Sequence, residues 1–217
     1  MSDVLLINAS PRRQASESLR IAQELVGELL ATDPRLALDR LELFENPPPA
    51  FGALAALAKM DVIAGRAVAP ERRQEWEHAL QTAQRLSDAE LWVLAVPMWN
   101  SGLPWPLKAL IDTVTQPGVA FRFDPQIGYQ GLLGGRRAVT VYTSQVYSPD
   151  GPAAFGVDHQ STYLNWWLEF VGVEQVGEIR LQPTFPDESL PGRREIALEQ
   201  ARKLGRRLAR QSHEVLG

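Results

Sequence analysis

The sequence of 217 residues contains no cysteine, which excludes a disulfide scaffold, a cysteine-based zinc site and thiol catalysis. It has no excess of positive charge either, since 22 lysines and arginines stand against 26 acidic residues for a formal net charge of -4. A general nucleic-acid binder is normally basic, so that class is disfavoured. The longest apolar run, residues 91–99, is far shorter than the roughly 20 residues of a membrane helix. With no secretory signal pattern, we expect a cytoplasmic protein without membrane partners.

Common motifs of nucleotide and catalytic sites are also missing. There is no G-x-x-x-x-G-K-[ST] phosphate loop, no G-x-G-x-x-G fingerprint, no G-x-S-x-G nucleophile elbow and no H-E-x-x-H zinc helix. The histidines, His78, His159 and His213, are scattered without metal-ligand spacing, so we expect no metal site. His159, beside Asp158 at a predicted helix start, is interpreted as a cap or surface group.

Short apolar runs that are typical of buried strands alternate with segments that have helical periodicity. Strands are predicted at residues 4–7, 38–44, 91–96, 138–143 and 176–181. Ala22, Leu25, Val26 and Leu29 form the stripe of an amphipathic helix between the first two strands. Residues 51–87 are predicted to be helical in two pieces around Pro70. Further helices are expected after Pro104, over residues 163–171 and at the C-terminal end.

This alternation predicts a parallel sheet with helices on both faces. Since there is no repeat, low-complexity tract or linker, we expect one α/β domain over residues 1–217. Its fold is predicted to be doubly wound, with five strands in the flavodoxin-like order 2-1-3-4-5. Ligands bind such sheets beyond the carboxyl ends of the strands, so the loops after strands one, three and four are expected to carry the chemistry.

The loop after the first strand, residues 8–18, combines hydroxyl side chains with the start of a helix. Free N–H groups at a helix start favour an anion, and Arg12 or Arg13 can add positive charge. A phosphate monoester held by hydroxyls and amides fits this loop. The alternative is that Ser16 is only an N-cap, and the loop alone does not decide between them.

The loop after the third strand, residues 97–104, is stiffened by two prolines and a glycine. Trp99 offers a flat apolar face and Asn100 an amide, which suits a planar heterocycle. The alternative is that Trp99 belongs to the core.

Several ordered motifs together resemble a known family. Ser10, Ser16 and Ser18 follow strand one, and further segments follow in order: Pro-Met-Trp-Asn at 97–100, Leu-Lys-x-x-Ile-Asp at 107–112, Pro-Gly-Val-Ala-Phe-Arg-Phe at 117–123, Gly-Leu-Leu-x-Gly-Arg-Arg at 131–137 and Thr-Ser at 143–144. This pattern resembles the FMN-dependent NADH:quinone oxidoreductases known as NADH-azoreductases, within the flavodoxin-like quinone-reductase superfamily. The resemblance covers nearly the whole chain and is thinnest over residues 51–87.

The resemblance implies a homodimer with FMN at its interface, NADH or NADPH as co-substrate, and two-electron ping-pong reduction of quinones and of azo or nitroaromatic compounds. The chemistry would lie on the flavin, with no catalytic side chain. The implied FMN-binding residues are Ser10, Ser16, Glu17, Ser18, Pro97, Met98, Trp99, Asn100, Ser101, Ser144, Gln145, Val146 and Tyr147. The implied substrate walls are Phe121, Phe123 and Trp167, each with core packing as the alternative. Trp166, Trp167 and Phe170 give one helix more aromatic surface than it needs alone, which favours the dimer.

The chain departs from that family in one flavin loop. The family has Ser-Arg-Gly-Gly where this chain has Ser144, Gln145, Val146 and Tyr147. Val146 is β-branched and avoids positive φ, so the loop is predicted to follow a path that needs no glycine. Ser101 likewise replaces an aromatic residue of the family. The rival functions are a non-enzymatic electron carrier or a regulatory subunit of a transporter.

Overall fold

The computed structural model describes residues 3–214, and their secondary structure is regular along most of the chain. The strands are β1 (Val4–Asn8), β2 (Leu38–Glu42), β3 (Leu91–Pro97), β4 (Phe121–Asp124), β5 (Gly128–Gly131), β6 (Arg137–Thr143) and β7 (Glu174–Leu181). The helices are α1 (Glu17–Thr32), α2 (Ala53–Ile63), α3 (Arg73–Ser87), α4 (Trp105–Val114), α5 (Ser161–Val171) and α6 (Leu190–Glu214). All five predicted strands and the predicted helices are therefore present, with ends that differ by a few residues.

The main sheet has five parallel strands in the order β2-β1-β3-β6-β7. Because β4 and β5 form a separate antiparallel hairpin, this is the predicted order 2-1-3-4-5. The hairpin was not predicted. It carries Phe121 and Phe123, and its register sets Phe123 opposite Tyr129.

Side chains of the strands alternate between two separate hydrophobic clusters, as the pleat of a strand requires. Leu5 and Ile7 of β1 pack in one cluster together with side chains of α3, α4 and α5. Val4 and Leu6 pack in the other cluster together with side chains of α1 and α6. The predicted stripe of α1 is buried in that second cluster.

The connection between β2 and β3 has the predicted two helical pieces. A short 3-10 turn, Pro70–Arg72, separates α2 from α3. The buried carboxylate of Asp61 pairs with Arg66 at 2.9 Å and with Arg72 at 2.7 Å, which fixes the segment between the helices. Strand β2 ends at Glu42, before the predicted end at Phe44. Over residues 3–214, no helix is long and apolar enough to cross a membrane.

Candidate functional site

A cleft of about 670 Å³ lies at the carboxyl edge of the parallel sheet, and we call it the polar cleft. Its walls come from the segments that follow β1, β3, β6 and β7, because parallel strands all end at the same edge. The lining residues are Arg12, Ala15, Glu17, Pro97, Met98, Trp99, Thr143, Ser144, Gln145, Thr184, Pro186 and Leu190. The structure thus brings the three predicted loops together and adds a fourth segment, after β7.

The start of α1 lies at this edge and carries buried hydroxyl groups. Ser16 Oγ accepts the Leu19 N–H at 3.2 Å and lies 3.2 Å from Ser18 Oγ, so Ser16 is the N-cap of the helix. An N-cap does not satisfy every N–H of the first turn, and those of Glu17 and Ser18 have no acceptor within the helix. The capping role of Ser16 is confirmed, and the anion site remains a prediction that this geometry permits.

The two arginines of the loop after β1 differ in their partners. Arg13 has a φ of 48° and pairs with Glu45 at 3.1 Å. Arg12 lines the polar cleft, and among the described residues no carboxylate forms an ion pair with it. Ser10 holds the loop, since its Oγ accepts the Arg12 N–H at 3.3 Å. Arg12 is therefore the cation available to an anion in the cleft.

Glu17 places a carboxylate at the same edge, but its side chain is already paired. Both oxygens accept hydrogen bonds from Arg194 of α6, at 2.6 and 3.0 Å. The guanidinium offsets the negative charge that would otherwise repel a bound anion. Only the backbone N–H of Glu17 is left for a ligand.

The loop after β3 is a tight turn. The backbone groups of Trp99 and Gly102 bond each other at 2.8 and 3.0 Å, and the residues between them, Asn100 and Ser101, have φ values of 47° and 64°. Asparagine tolerates this left-handed conformation, whereas serine adopts it at a cost, which is the kind of strain that accumulates at functional sites. Trp99 is 37% exposed and its ring centroid lies 5.3 Å from that of Phe44. Trp99 is thus a wall of the cleft and not part of the core.

The loop after β6 follows a path that needs no glycine. Ser144 Oγ donates to the Tyr147 carbonyl at 2.5 Å, and Gln145, Val146 and Tyr147 are not among the residues with positive φ. Gln145 lines the polar cleft, and Val146 is 49% exposed. Burial raises the pKa of the half-buried Tyr147 hydroxyl, and the charge of Asp158 adds to this while Arg180 opposes it. The phenol therefore stays protonated and remains a hydrogen-bond donor at neutral pH.

The segment before α5 contacts both the loop after β3 and the loop after β6. The His159 N–H donates to the Ser101 carbonyl at 2.9 Å, and a Cβ on Gly156 would lie 3.4 Å from Ser101 Oγ. Asp158 accepts the Ser161 N–H at 2.7 Å and pairs with Arg180 at 3.2 Å. Burial opposes ionisation of Asp158, but the bonds from Ser161 and Arg180 outweigh it, so its pKa is lowered. Gln160 is the N-cap residue of α5, Asp158 satisfies the first N–H of the helix from two residues earlier, and His159 between them is exposed.

A second cleft of about 570 Å³ has mainly aromatic walls, and we call it the aromatic cleft. Its lining residues are Phe51, Lys59, Ile111, Asp112, Thr115, Phe121, Tyr129, Tyr163, Trp166, Trp167 and Phe170. Phe121 and Trp167 are in this set, whereas Phe123 is not and is 60% exposed on the hairpin. Trp167 is only 2% exposed and donates its indole N–H to Thr115 Oγ1 at 2.9 Å. It is mainly a core residue, with one edge at the cleft.

Comparison with known proteins covers nearly the whole chain. The profile of the Flavodoxin-like fold family matches residues 2–204. A protein of Ruegeria pomeroyi named FMN-dependent NADH:quinone oxidoreductase is 42% identical over 184 residues, which are 85% of this chain and 90% of that protein. One of the same name from Desulfotalea psychrophila is 33% identical over 87% of this chain and 89% of its own length. The chain belongs to the FMN-dependent NADH:quinone oxidoreductase family.

Solved structures agree with this assignment at the level of the fold. An azoreductase from Bacillus anthracis str. Sterne superposes with a TM-score of 0.83, at 22% identity over 95% of this chain and 100% of that chain. An FMN-dependent NADH-azoreductase from Bacillus anthracis str. Ames Ancestor, solved in complex with FMN, gives a TM-score of 0.79 at 21% identity, covering 94% and 100%. At this identity the likeness shows the flavodoxin-like fold and nothing finer.

Sequence reasoning missed several residues that line the two clefts or support their walls. Thr184 bonds the Ser144 carbonyl through its N–H at 2.7 Å and its hydroxyl at 3.0 Å, so the segment after β7 supports the loop after β6. The sequence does contain a signal for this segment, because the fifth parallel strand must end at the same edge of the sheet as the other four. No local signal marked Arg194 or Lys59, because their partners lie far away in the sequence.

Proposed function

We propose that this member of the FMN-dependent NADH:quinone oxidoreductase family binds FMN in its polar cleft and uses NADH to reduce quinones. The observation that carries the proposal is the convergence of the α1 start, the Trp99 turn and the loop after β6 on one cleft. Arg12 and Glu17 line one end of the cleft, next to the buried hydroxyls of Ser16 and Ser18 at the start of α1, and Trp99 gives the cleft a flat aromatic face. The names of the relatives supply the same cofactor and donor.

The phosphate would be held by the start of α1. Ser16 and Ser18 would donate their hydroxyls, Glu17 and Ser18 their N–H groups, and Arg12 its charge. Ser10 shapes the loop that places Arg12. The helix dipole adds to the attraction, since its positive end faces the anion. Arg194, which is paired with Glu17, offsets the negative charge that would otherwise repel the phosphate.

The ring of the cofactor would lie along Pro97, Met98, Trp99, Asn100 and Ser101, with the segment Ser144, Gln145, Val146 and Tyr147 at its other edge. FMN, when bound, supplies the hydride and electron transfer between NADH and the acceptor. The protein would hold hydrogen-bond donors in a fixed position, so that they stabilise the negative charge that develops on the bound group without having to move. The turn at Asn100 and Ser101 is fixed by two backbone hydrogen bonds and meets that requirement.

The acceptors we propose are quinones first, and azo or nitroaromatic compounds as further planar substrates. The aromatic cleft would receive them, with Phe121 and Trp167 as walls and Phe123 at its outer edge. The two clefts have no lining residue in common within one chain. We therefore infer that the acceptor reaches the flavin across a dimer, where the aromatic cleft of one protomer faces the polar cleft of its partner.

A homodimer is supported by exposed apolar side chains on two helices. Leu54, Leu57, Met60 and Ile63 are 44% to 56% exposed and repeat every three residues along α2. Trp166 of α5 is 52% exposed. A stripe of this kind is typical of an interface. We also propose that the chain is a single doubly wound domain, which the two hydrophobic clusters, each built on alternate residues of the same strands, support.

The test is to purify the protein, measure its visible flavin absorbance, and follow NADH oxidation with and without a benzoquinone. The proposal expects bound FMN and NADH oxidation that depends on the quinone. A protein that binds FMN but does not oxidise NADH would instead be an electron carrier or a regulatory subunit. A protein without affinity for FMN would overturn the proposal altogether.

A further inference from the structure

Lys59 of α2 is a half-buried cation in the wall of the aromatic cleft. Its Nζ donates to the Thr115 carbonyl at 2.9 Å and lies 5.6 Å from the ring centroid of Phe121 and 5.7 Å from that of Phe51. An ammonium has three N–H donors, so two of them are not used by this bond. Within residues 3–214, no carboxylate forms an ion pair with Lys59.

The carboxylate that lines the cleft, Asp112, forms no ion pair with Lys59. Both of its oxygens accept hydrogen bonds from Lys108, at 2.6 and 2.7 Å. The negative charge of Asp112 is therefore balanced by the positive charge of Lys108. Burial lowers the pKa of Lys59, which the charge of Asp112 only partly opposes. A half-buried ammonium without a counter-ion is costly for the protein, and an anion placed beside it relieves that cost.

The shape of the cleft favours a flat aromatic ligand. Tyr129 and Phe170 stand with ring centroids 5.4 Å apart, and Phe121 lies 5.4 Å from Phe170 and 5.6 Å from Tyr129. These three rings pack into one aromatic wall of the cleft, against which a planar aromatic ligand can stack. A volume of about 570 Å³ is in the range of small-molecule sites. The ligand class is therefore set by flat walls and by one positive charge.

We propose that the aromatic cleft binds planar aromatic compounds that carry an ionised acid group, with Lys59 paired to the anion and the rings of Phe121, Tyr129 and Phe170 against the aromatic part. The inference rests on the proposed function only in assigning this cleft to the electron acceptor. It adds that acidic aromatic acceptors, such as hydroxyquinone anions and sulfonated or carboxylated azo compounds, are preferred over neutral ones of the same size.

Calorimetric titration of the FMN-loaded protein with 2-naphthoate and with 2-naphthamide tests the inference. The two probes have similar shapes, differ in charge and are not acceptors, so turnover does not enter the result. We expect naphthoate to bind at least about tenfold more tightly, which corresponds to roughly 1.4 kcal/mol. Lys59→Met should remove that preference and leave naphthamide affinity within about twofold, whereas Lys59→Arg should retain it.

Lys203→Met is the matched control, because it removes one positive charge from an exposed position on α6. It should leave both affinities unchanged. Lys59→Gln serves as a second neutral variant if Lys59→Met does not fold. Equal affinity of the two probes in the natural protein, or unchanged naphthoate affinity in the folded neutral variant, would overturn the inference.

Failure of the proposed function gives a different result. Flavin content and benzoquinone reduction, measured on the same preparations, depend on the polar cleft and on a neutral acceptor. If they are absent, the proposed function fails, and the same titration of the FMN-free protein still decides the role of Lys59. If they are present and the ratio does not depend on Lys59, only the further inference fails.

Discussion

The polar cleft and the aromatic cleft are built in opposite ways. The polar cleft uses backbone groups and short side chains at the ends of parallel strands, and its loops are held by hydrogen bonds such as those of Ser16 and Ser144. The aromatic cleft uses large side chains from α2, α4, α5 and the hairpin, and few polar bonds support it. The first is suited to one ligand in one orientation, whereas the second selects flatness and charge. This contrast matches a fixed cofactor and a variable acceptor.

The largest effect is expected at the polar cleft. Replacing both Ser16 and Ser18 by alanine would remove the two proposed hydrogen bonds to the phosphate, each worth roughly 1.5 to 3 kcal/mol. FMN affinity should fall by at least about two decades, at about 1.4 kcal/mol per decade, as measured by flavin fluorescence titration. Ser16→Asp is the control: it keeps an N-cap but adds a charge that repels phosphate, so it should lose FMN while α1 stays stable. Full flavin retention in the double variant would refute the assignment.

The second prediction separates the two roles of Trp167, core packing and cleft wall. Trp167→Ala should lower the free energy of unfolding by about 3 to 5 kcal/mol, because the ring is buried against Trp92 and bonded to Thr115. Trp105→Ala, at a position 56% exposed, should lower it by less than about 1 kcal/mol. Denaturant unfolding of both variants provides the comparison. Equal losses would mean that Trp167 is not the core residue described here.

The third prediction concerns assembly, which would join the two clefts into one active site. Trp166→Glu places a charge on an exposed aromatic position and should raise the dimer dissociation constant at least about tenfold. Sedimentation velocity over a concentration series gives that constant. Ile196→Glu, on α6 and 62% exposed, should leave it unchanged. A fully active monomer at micromolar concentration would contradict the proposed dimer.

The fourth prediction uses the loop in which the chain departs from its family. The exposed side chain of Val146 should narrow the proposed entry between the flavin and the partner's aromatic cleft, and so favour compact quinones over long azo dyes. Val146→Gly should then raise kcat/KM for a bulky azo dye by roughly tenfold, about 1.4 kcal/mol, and change that for a benzoquinone by less than about twofold. If the dye is turned over as well as the quinone and the variant alters neither, this loop does not set specificity.

The smallest effect is expected from Asp158, the neighbour of His159, whose N–H bonds the Ser101 carbonyl. Because the folded protein lowers the pKa of Asp158, its ionised form contributes stability at neutral pH, and the contribution is lost as the pH falls through that lowered value. Asp158→Asn should therefore be less stable than the natural protein by at most about 1 kcal/mol near neutral pH. The difference should vanish in acid. A difference that stays constant with pH would exclude the carboxylate charge as its source.

The sequence predicts the polar cleft better than the aromatic cleft for a physical reason. Buried strands and their order locate every loop at the carboxyl edge, so the sequence is enough to identify Ser16 and Trp99 as residues of that edge. The left-handed turn at Asn100 and Ser101 was not foreseen, since neither residue requires positive φ. The sequence does not identify Lys59, because its hydrogen-bond partner Thr115 follows α4 and no periodicity in residues 51–87 encodes that contact. Hairpin strands of only four residues gave too short a pattern to predict.

The central claim is that FMN occupies the polar cleft and leaves the aromatic cleft for the acceptor, and a crystal structure of the FMN-loaded protein tests it most directly. The account predicts the phosphate within hydrogen-bond distance of the Ser16 and Ser18 hydroxyls, with the flavin ring against the turn that contains Trp99. A flavin ring stacked among Phe121, Tyr129 and Phe170, or a phosphate bound to Lys59, would contradict it.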